Sequence, residues 1–412
     1  MKTFFKLAAV AALTASSSLS AADCEINIIG ATAFRAGVHA ALLASSGGLY
    51  TGGPTKYSHS SGSGSVSGAT RSSWVGTVAG VGTVTVRTFW TGSVTGIQDV
   101  SQGNTKQFLA DSTLPTSGQA FSQTTLGTAV AAHATFSDCA QSSTNFTANT
   151  LDEVNVGVVP FVFVLNDTAT TPGFDNVTAQ FARALYNAGS VPKKLLTGVA
   201  GDNKKVYCVG RDTGSGTRVI SLAETKFGVF TQVKHYRITT SGGNINTLRF
   251  WPSLTIEPLL TGPLSGAGND ATSGNGGYTS GSTFATLMQD KSDGSIAIQN
   301  ASGTTVATET GGVHLITGIS YNDTPAIVTG GGTRLKYEGV AYNGTADDDK
   351  VRNGQYTFWS FEKLLNVTTL SQDQIDVRDA LVTAIDANIS GSGIQLSTMI
   401  VGRQEDGGIV AP

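Results

Sequence analysis

Arg211, Ser215 and Thr217 fall within one seven-residue stretch, Arg211-Asp-Thr-Gly-Ser-Gly-Thr217. Together they could grip one kind of ligand. A guanidinium fork meets a tetrahedral oxyanion along an edge, and two hydroxyls on the same turn would add donors. The run before them, Val206-Tyr-Cys-Val209, is β-branched and aromatic and reads as a buried strand. After Ser215, the spacing of Val219, Leu222 and Ala223 predicts a helix starting under a hydroxyl cap. A strand, a glycine turn and a helix start aim backbone N–H groups and the positive end of a helix dipole at one point. That is an anion corner. Taken alone, Gly-Ser-Gly-Thr is more often a plain turn with its Arg on a solvated edge, so support must come from elsewhere.

Other stretches repeat the pattern. Cys24-Glu-Ile-Asn-Ile-Ile-Gly30 reads as a strand ending at glycine, and a helix follows it with Phe34, Val38 and Leu42 on one face. Free N–H groups are expected around Ala33 and Phe34, and His39 is expected on the helix surface. Val75 to Trp90 alternates valines as a hairpin would and runs into Thr91-Gly-Ser93. A short strand from Thr135 ends in Ser137-Asp138. A single Asp there is by itself a cap or turn former.

The chain of 412 residues is long enough for two lobes. Only 13% of its residues are charged and 51 are glycine, a style common in exported proteins rich in strands and loops. Residues 1–22 read as a secretory signal peptide: Lys2 and Lys6, an apolar run from Leu7 to Ala15, then small residues to Ala22. Asp23 before Cys24 argues against a lipoprotein acceptor. No later run is apolar for long enough to cross a bilayer, so no membrane insertion is expected after cleavage. Loss of Lys2 and Lys6 would leave 24 basic against 29 acidic residues, which disfavours nucleic acid or an anionic membrane as partner. Cys24, Cys139 and Cys208 have unrelated spacings, and no Cys-x-x-Cys pair or HExxH is present. No metal site and no cofactor is therefore expected. An oxidising compartment would allow one disulfide and one spare thiol, with no pair selected by spacing.

Residues 46–73 read as a Gly/Ser/Thr-rich surface loop, and 104–131 as helix and loop. Val154 to Leu165 is the longest apolar run after the leader, suited to a buried central strand that carries the chain between lobes. An amphipathic helix is expected over Val177–Tyr186, stopped near Gly189. A glycine-rich stretch from 241 to 282 precedes a helix over Thr283–Met288, and Gly318-Ile-Ser-Tyr321 ends another strand. Residues 353–365 pass from a turn to a strand or helix. Ser371-Gln-Asp-Gln374 is a capping box for a last helix. Strands alternating with helices indicate an α/β protein of two lobes.

With these corners in order, the sequence resembles the phosphate-binding proteins of high-affinity ABC phosphate importers, which have the type 2 periplasmic solute-binding fold. The matching positions are Gly30-Ala-Thr-Ala-Phe34, Gly92-Ser93, Ser137-Asp138, Val156 to Leu165 and Arg211 to Thr217. Gly277 to Gly281, Gly318 to Tyr321 and Gln355-Tyr-Thr-Phe-Trp359 follow where the family has a glycine loop and two late strands. The resemblance implies mixed sheets flanked by helices, with a cleft between lobe 1 (23–163 and 320–412) and lobe 2 (164–319). It implies that Ala33 and Phe34 give N–H groups, Ser93 a hydroxyl and Arg211 the charge, while Ser215, Gly216 and Thr217 close the cage. Asp138 would accept the proton of hydrogen phosphate, which sulfate lacks at neutral pH. An unpaired buried acceptor costs about 1–3 kcal/mol, so sulfate would be rejected.

Two departures stand out. Ala33 replaces a hydroxyl residue of the family, for which Thr32 could substitute. Thr213 stands where the family has an Asp beside the Arg, with the acid at Asp212 instead. Asp111 is a rival for the acidic role. The expected function is an exported, non-enzymatic carrier, periplasmic or secreted, that passes inorganic phosphate to an ABC transporter permease. A first rival is the same fold recruited as a surface, matrix or sensor protein. The second is an exported hydrolase with Ser215 as nucleophile, which needs a base that no His is placed to supply.

Overall fold

The computed structural model describes residues 24–168, 172–253, 256–257 and 272–412. The leader and residues 262–271 of the glycine-rich stretch lie outside them. In chain order the main elements begin with strand β1 (Cys24–Gly30), helix α1 (Arg35–Leu43), β2 (Lys56–His59), β3 (Arg71–Val78), β4 (Gly82–Phe89) and α2 (Ser93–Gln102). Next come β5 (Ala134–Ser137), β6 (Asp152–Leu165), α3 (Ala179–Ala188), β7 (Lys205–Cys208), α4 (Gly216–Glu224) and α5 (Gly281–Met288). The last are β8 (His314–Ser320), β9 (Thr333–Tyr337), β10 (Trp359–Asn366) and α6 (Gln372–Asn388).

The long apolar strand is the axis. Residues 156–165 of β6 are all buried, as a strand covered on both faces must be. Its first part, Asp152–Pro160, pairs antiparallel with β10, and its last part, Phe161–Leu165, pairs antiparallel with β8. Pro160 sits at the handover, where a missing N–H costs the ladder least. Outward from β10 run β5, β1, β4, β3 and β2; beyond β8 lies β7. One mixed sheet of 13 strands thus has two halves joined on β6, with helices packed on it: α2 against β5 and β1, α4 against β8, and α6 against α1. The architecture is α/β, in two halves, as the sequence indicates.

Strand direction places the site. In the first half β1, β4 and β5 are parallel, so Gly30, Phe89 and Ser137 end at one edge. In the second half β7 and β8 are parallel, so Cys208 and Ser320 end together. Loops at the carboxyl ends of strands are where open α/β sheets hold ligands.

Four expectations need correction. His39 is not on the surface: it is 1% exposed and accepts a hydrogen bond from Trp90 Nε1 (3.1 Å). Ser72 and Trp74 of β3 and Trp90 just after β4 cover the His39 ring. Residues 46–73 include β2, held between β3 and a short strand Gly118–Ala120, and they bury Leu49 and Tyr50. Their chemistry reads as loop because the strand is only four residues long. Residues 104–131 hold one 3₁₀ turn, Asp111–Thr113, and short strands, with no α-helix. The cysteines are three buried free thiols. Elsewhere the expected elements form, including the complete capping box at Ser371. Among the described residues no helix is long and apolar enough to cross a membrane, and no cluster of His, Cys, Asp and Glu could hold a metal ion.

Candidate functional site

Helix α4 begins at Ser215, and here the structure differs from the expected hydroxyl cap. Ser215 holds the N-cap backbone position, but its side chain caps nothing. The Oγ is buried with no hydrogen-bond partner. The turn is held instead by its backbone, with Ser215 N–H donating to the Asp212 carbonyl (3.3 Å).

The residues around Ser215 meet the other half of the molecule. A Cβ on Gly216 would lie 2.5 Å from Ser93 Oγ and 3.0 Å from Asp138 Cβ, so only glycine allows this approach. Thr217 Oγ1 donates to Asp138 Oδ2 (3.4 Å), and Asp138 N–H donates to Ser93 Oγ (3.4 Å). The Gly214 carbonyl accepts N–H bonds from Val94 (3.1 Å) and Thr95 (3.4 Å) in the first turn of α2. Two helix N-termini, α2 from one half and α4 from the other, therefore meet here. Ser93, Asp138, Ser215, Gly216 and Thr217 form one cluster.

Arg211 is 3% exposed and lies beside this cluster, close enough for its charge to act on Asp138. Its Nε donates to the Tyr278 carbonyl (3.0 Å) and its Nη2 to the Thr279 carbonyl (2.7 Å). Arg218 fixes the Arg211 backbone by donating to its carbonyl (3.3 Å). The fork is thus held by carbonyls rather than by an acid at position 213. Asp212 is also buried, which pushes its carboxyl up to about 6 against the pull of Arg211 and Arg218. Ala33 and Phe34 lie at the start of α1, and among the described residues no acceptor takes their N–H groups. The Phe34 ring packs on Phe136 (5.9 Å between centroids). The rival Asp111 is committed elsewhere, in an exposed ion pair with Arg87 (2.6 Å).

Three charged residues missed in the sequence stand at the same place. Glu362, fully buried on β10, faces Asp138, and both its oxygens lack a donor. Burial raises the carboxyl of Asp138, and burial plus Asp138 raises that of Glu362 well above the ordinary range. Asp323, three residues beyond the end of β8, has a buried Oδ2 with no partner. It faces Arg211 and also Arg35, the first residue of α1. Glu362 could have been suspected only from an acid within a fully buried strand, Asp323 only from its place after a strand end, and Arg35 only from its place beside Phe34.

The chemistry open to this corner is binding of a small anion by N–H groups, hydroxyls and a guanidinium, with buried acids that require protons. No family model and no curated protein sequence matches the chain. Solved structures similar to it include a protein from Clostridium perfringens, provisionally named a phosphate ABC transporter substrate-binding protein and holding phosphate. It is 12% identical, with 90% of this chain and 99% of that one covered and a TM-score of 0.44. An ABC-type phosphate transport receptor from Vibrio cholerae is 13% identical, with 76% and 88% covered and a TM-score of 0.39. A high-affinity periplasmic phosphate-binding protein solved with phosphate is 14% identical, with 90% of each chain covered and a TM-score of 0.37. The likeness is one of overall fold at low identity, and the site described above is built from this chain's own residues.

Proposed function

We propose that the chain is an exported solute-binding protein whose two halves close over inorganic phosphate and deliver it to a membrane ABC transporter. The observation that carries this is that two buried atoms lack partners where Gly216 and Thr217 of one half approach Ser93 and Asp138 of the other: Ser215 Oγ, one residue before Gly216, and Asp138 Oδ1. Buried polar atoms without partners are costly, and a protonated tetrahedral oxyanion would satisfy both a donor and an acceptor. Arg211 supplies the charge, and Ser93, Thr217 and the N–H groups of Ala33, Phe34 and Gly216 supply dipoles, so an acidic protein can hold an anion. The proposed lobes are 23–163 with 320–412, and 164–319. Closure couples ligand to lobe position because both give donors. No bond is broken in this reading: Ser215 Oγ has no base engaged with it.

Calorimetry of the mature protein with phosphate, arsenate and sulfate tests the proposal. Tight phosphate and arsenate binding, with sulfate ignored, is expected; no binding of any of the three sinks the carrier reading.

A second reading, an oxyanion-holding surface or sensor protein, is favoured by the C-terminal segment. Asp406 accepts from Ala140 N–H (2.8 Å) and Ser143 Oγ (2.6 Å) in the first half, while Arg403 pairs with Glu224 (3.0 Å) at the end of α4 in the second. These bonds strap the halves together and oppose the opening that delivery needs. Small-angle scattering with and without phosphate decides: a change in radius supports the carrier, and none supports the strapped protein.

A further inference from the structure

Arg211 and Asp323 flank one point in front of α5. A Cβ built on Gly281, the first residue of that helix, would lie 1.9 Å from Asp323 Oδ2 and 3.0 Å from Arg211 Nη1. Only glycine tolerates that approach, so the two groups converge on the start of α5. The Arg211 Nε and Nη2 groups are tied to carbonyls, which leaves Nη1 facing this point. Asp323 Oδ2 is closed off from solvent and has no hydrogen-bond partner. An atom placed between them must accept from a guanidinium and donate to a carboxylate. A bare oxyanion oxygen can only accept. A hydroxyl on the anion does both.

Asp138 makes the same demand. It is 2% exposed, its Oδ1 has no partner, and Oδ2 already accepts from Thr217. The groups facing it are Glu362 from β10, Arg211 from the loop before α4, Ser93 from α2 and Thr217 from α4. Those facing Asp323 are Arg211, Arg35 from α1, and Asp138. Lys363 stands behind Glu362 and is paired with Asp406 (3.4 Å). Asp138, Glu362 and Asp323 are acids set against only two guanidiniums, so each extra negative charge on a ligand is harder to hold there, and a singly charged anion suits the corner better than a doubly charged one.

Resting on the function proposed above, we infer that the site takes the doubly protonated monoanion, dihydrogen phosphate or its arsenate equivalent. Asp138 accepts one of its protons, Asp323 accepts the other, and the unprotonated oxygens face the helix N-termini and hydroxyls. Asp323 is thereby assigned as a second specificity-determining acceptor.

Binding is then linked to protons. Above neutrality, where free phosphate loses its second proton, affinity for total phosphate should fall about tenfold per pH unit. Wild-type calorimetry in buffers of different ionisation enthalpy should show about one proton taken up per phosphate bound there. In Asp323→Asn, whose amide can donate to an unprotonated oxygen, the fall should flatten and uptake should disappear. A flat wild-type profile with no uptake overturns the inference while leaving phosphate binding intact. So does an Asp323→Asn profile that still falls like the wild type, because water rather than the ligand would then fill the space. No phosphate bound at any pH overturns the function itself. The wild-type arm stands even where the variant fails to fold.

Discussion

The two halves approach the same corner with different equipment. The first half brings N–H groups at two helix starts, the Ser93 hydroxyl and the carboxyl of Asp138, with Glu362 behind it. The second brings Arg211 on a carbonyl-braced fork, the uncapped Ser215 hydroxyl and Thr217. Dipoles of the first kind hold any small anion, and a guanidinium adds strength without telling phosphate from sulfate. Under the proposed function, discrimination comes from the acids, which leave an anion without protons no donor to offer them. That proposal assigns affinity and selectivity to different residues, which mutation can separate.

The largest effect expected is from Arg211→Ala, which removes the charge. Truncating one side of a buried charged contact costs on the order of 2–5 kcal/mol, so phosphate binding should fall by a hundredfold or more in calorimetry. Arg211→Lys should recover only part, because an ammonium cannot keep the bonds to Tyr278 and Thr279 together. Gly216→Ala attacks the meeting of the halves rather than either set of groups. Its methyl would strike Ser93, whose Cβ is 2.7 Å from that position, so the halves cannot close and affinity should drop by roughly 1–3 kcal/mol. Small-angle scattering should show a larger radius. Asp138→Asn tests selectivity directly: phosphate should weaken by roughly tenfold while sulfate, ignored before, begins to bind.

A further prediction sets the corner against the rest of the core. His39 in the first half and His235 in the second are buried and neutral, each pushed down to about 3 by desolvation. Their unfolded values are higher, so their contribution is full above the ordinary histidine range. It is lost as pH falls from there toward 3. At pH 5 each should cost about 2 kcal/mol of stability. Asp212 runs the other way: raised to about 6, it contributes fully at low pH and loses that contribution as pH rises through 6. Chemical denaturation between pH 5 and 7.5 should show the histidine term dominating, with His39→Gln less acid-sensitive than the wild type. Smallest of all, Asp111→Ala should leave phosphate affinity unchanged and alter stability by under about 1 kcal/mol, since that acid serves an exposed pair with Arg87.

The same contrast explains what could be read from the chain. The anion loop of Arg211 to Thr217, the first strand and helix, and the buried axis of β6 were legible because periodicity and turn chemistry are local. His39 was misjudged because its burial depends on Ser72, Trp74 and Trp90, which only the sheet brings against α1. Ser215 was placed correctly, but its uncapped hydroxyl follows from the backbone bond to Asp212, which no pattern announces. Asp323, Glu362 and Arg35 join the site only through sheet registers and helix packing that bring distant segments together. The strand in 46–73 was hidden by its length, since four polar-rich residues do not establish a period. Local chemistry drew the strand, turn and helix around Arg211 to Thr217, and tertiary packing decided which acids lie beside them.

A crystal structure of the mature protein grown with phosphate tests the central claim most directly. Density for a tetrahedral anion between Arg211, Ser215 and Asp138, touched by both halves, is the predicted result. Phosphate found elsewhere, with Ser215 Oγ and Asp138 Oδ1 engaged by each other or by water alone, would contradict the account.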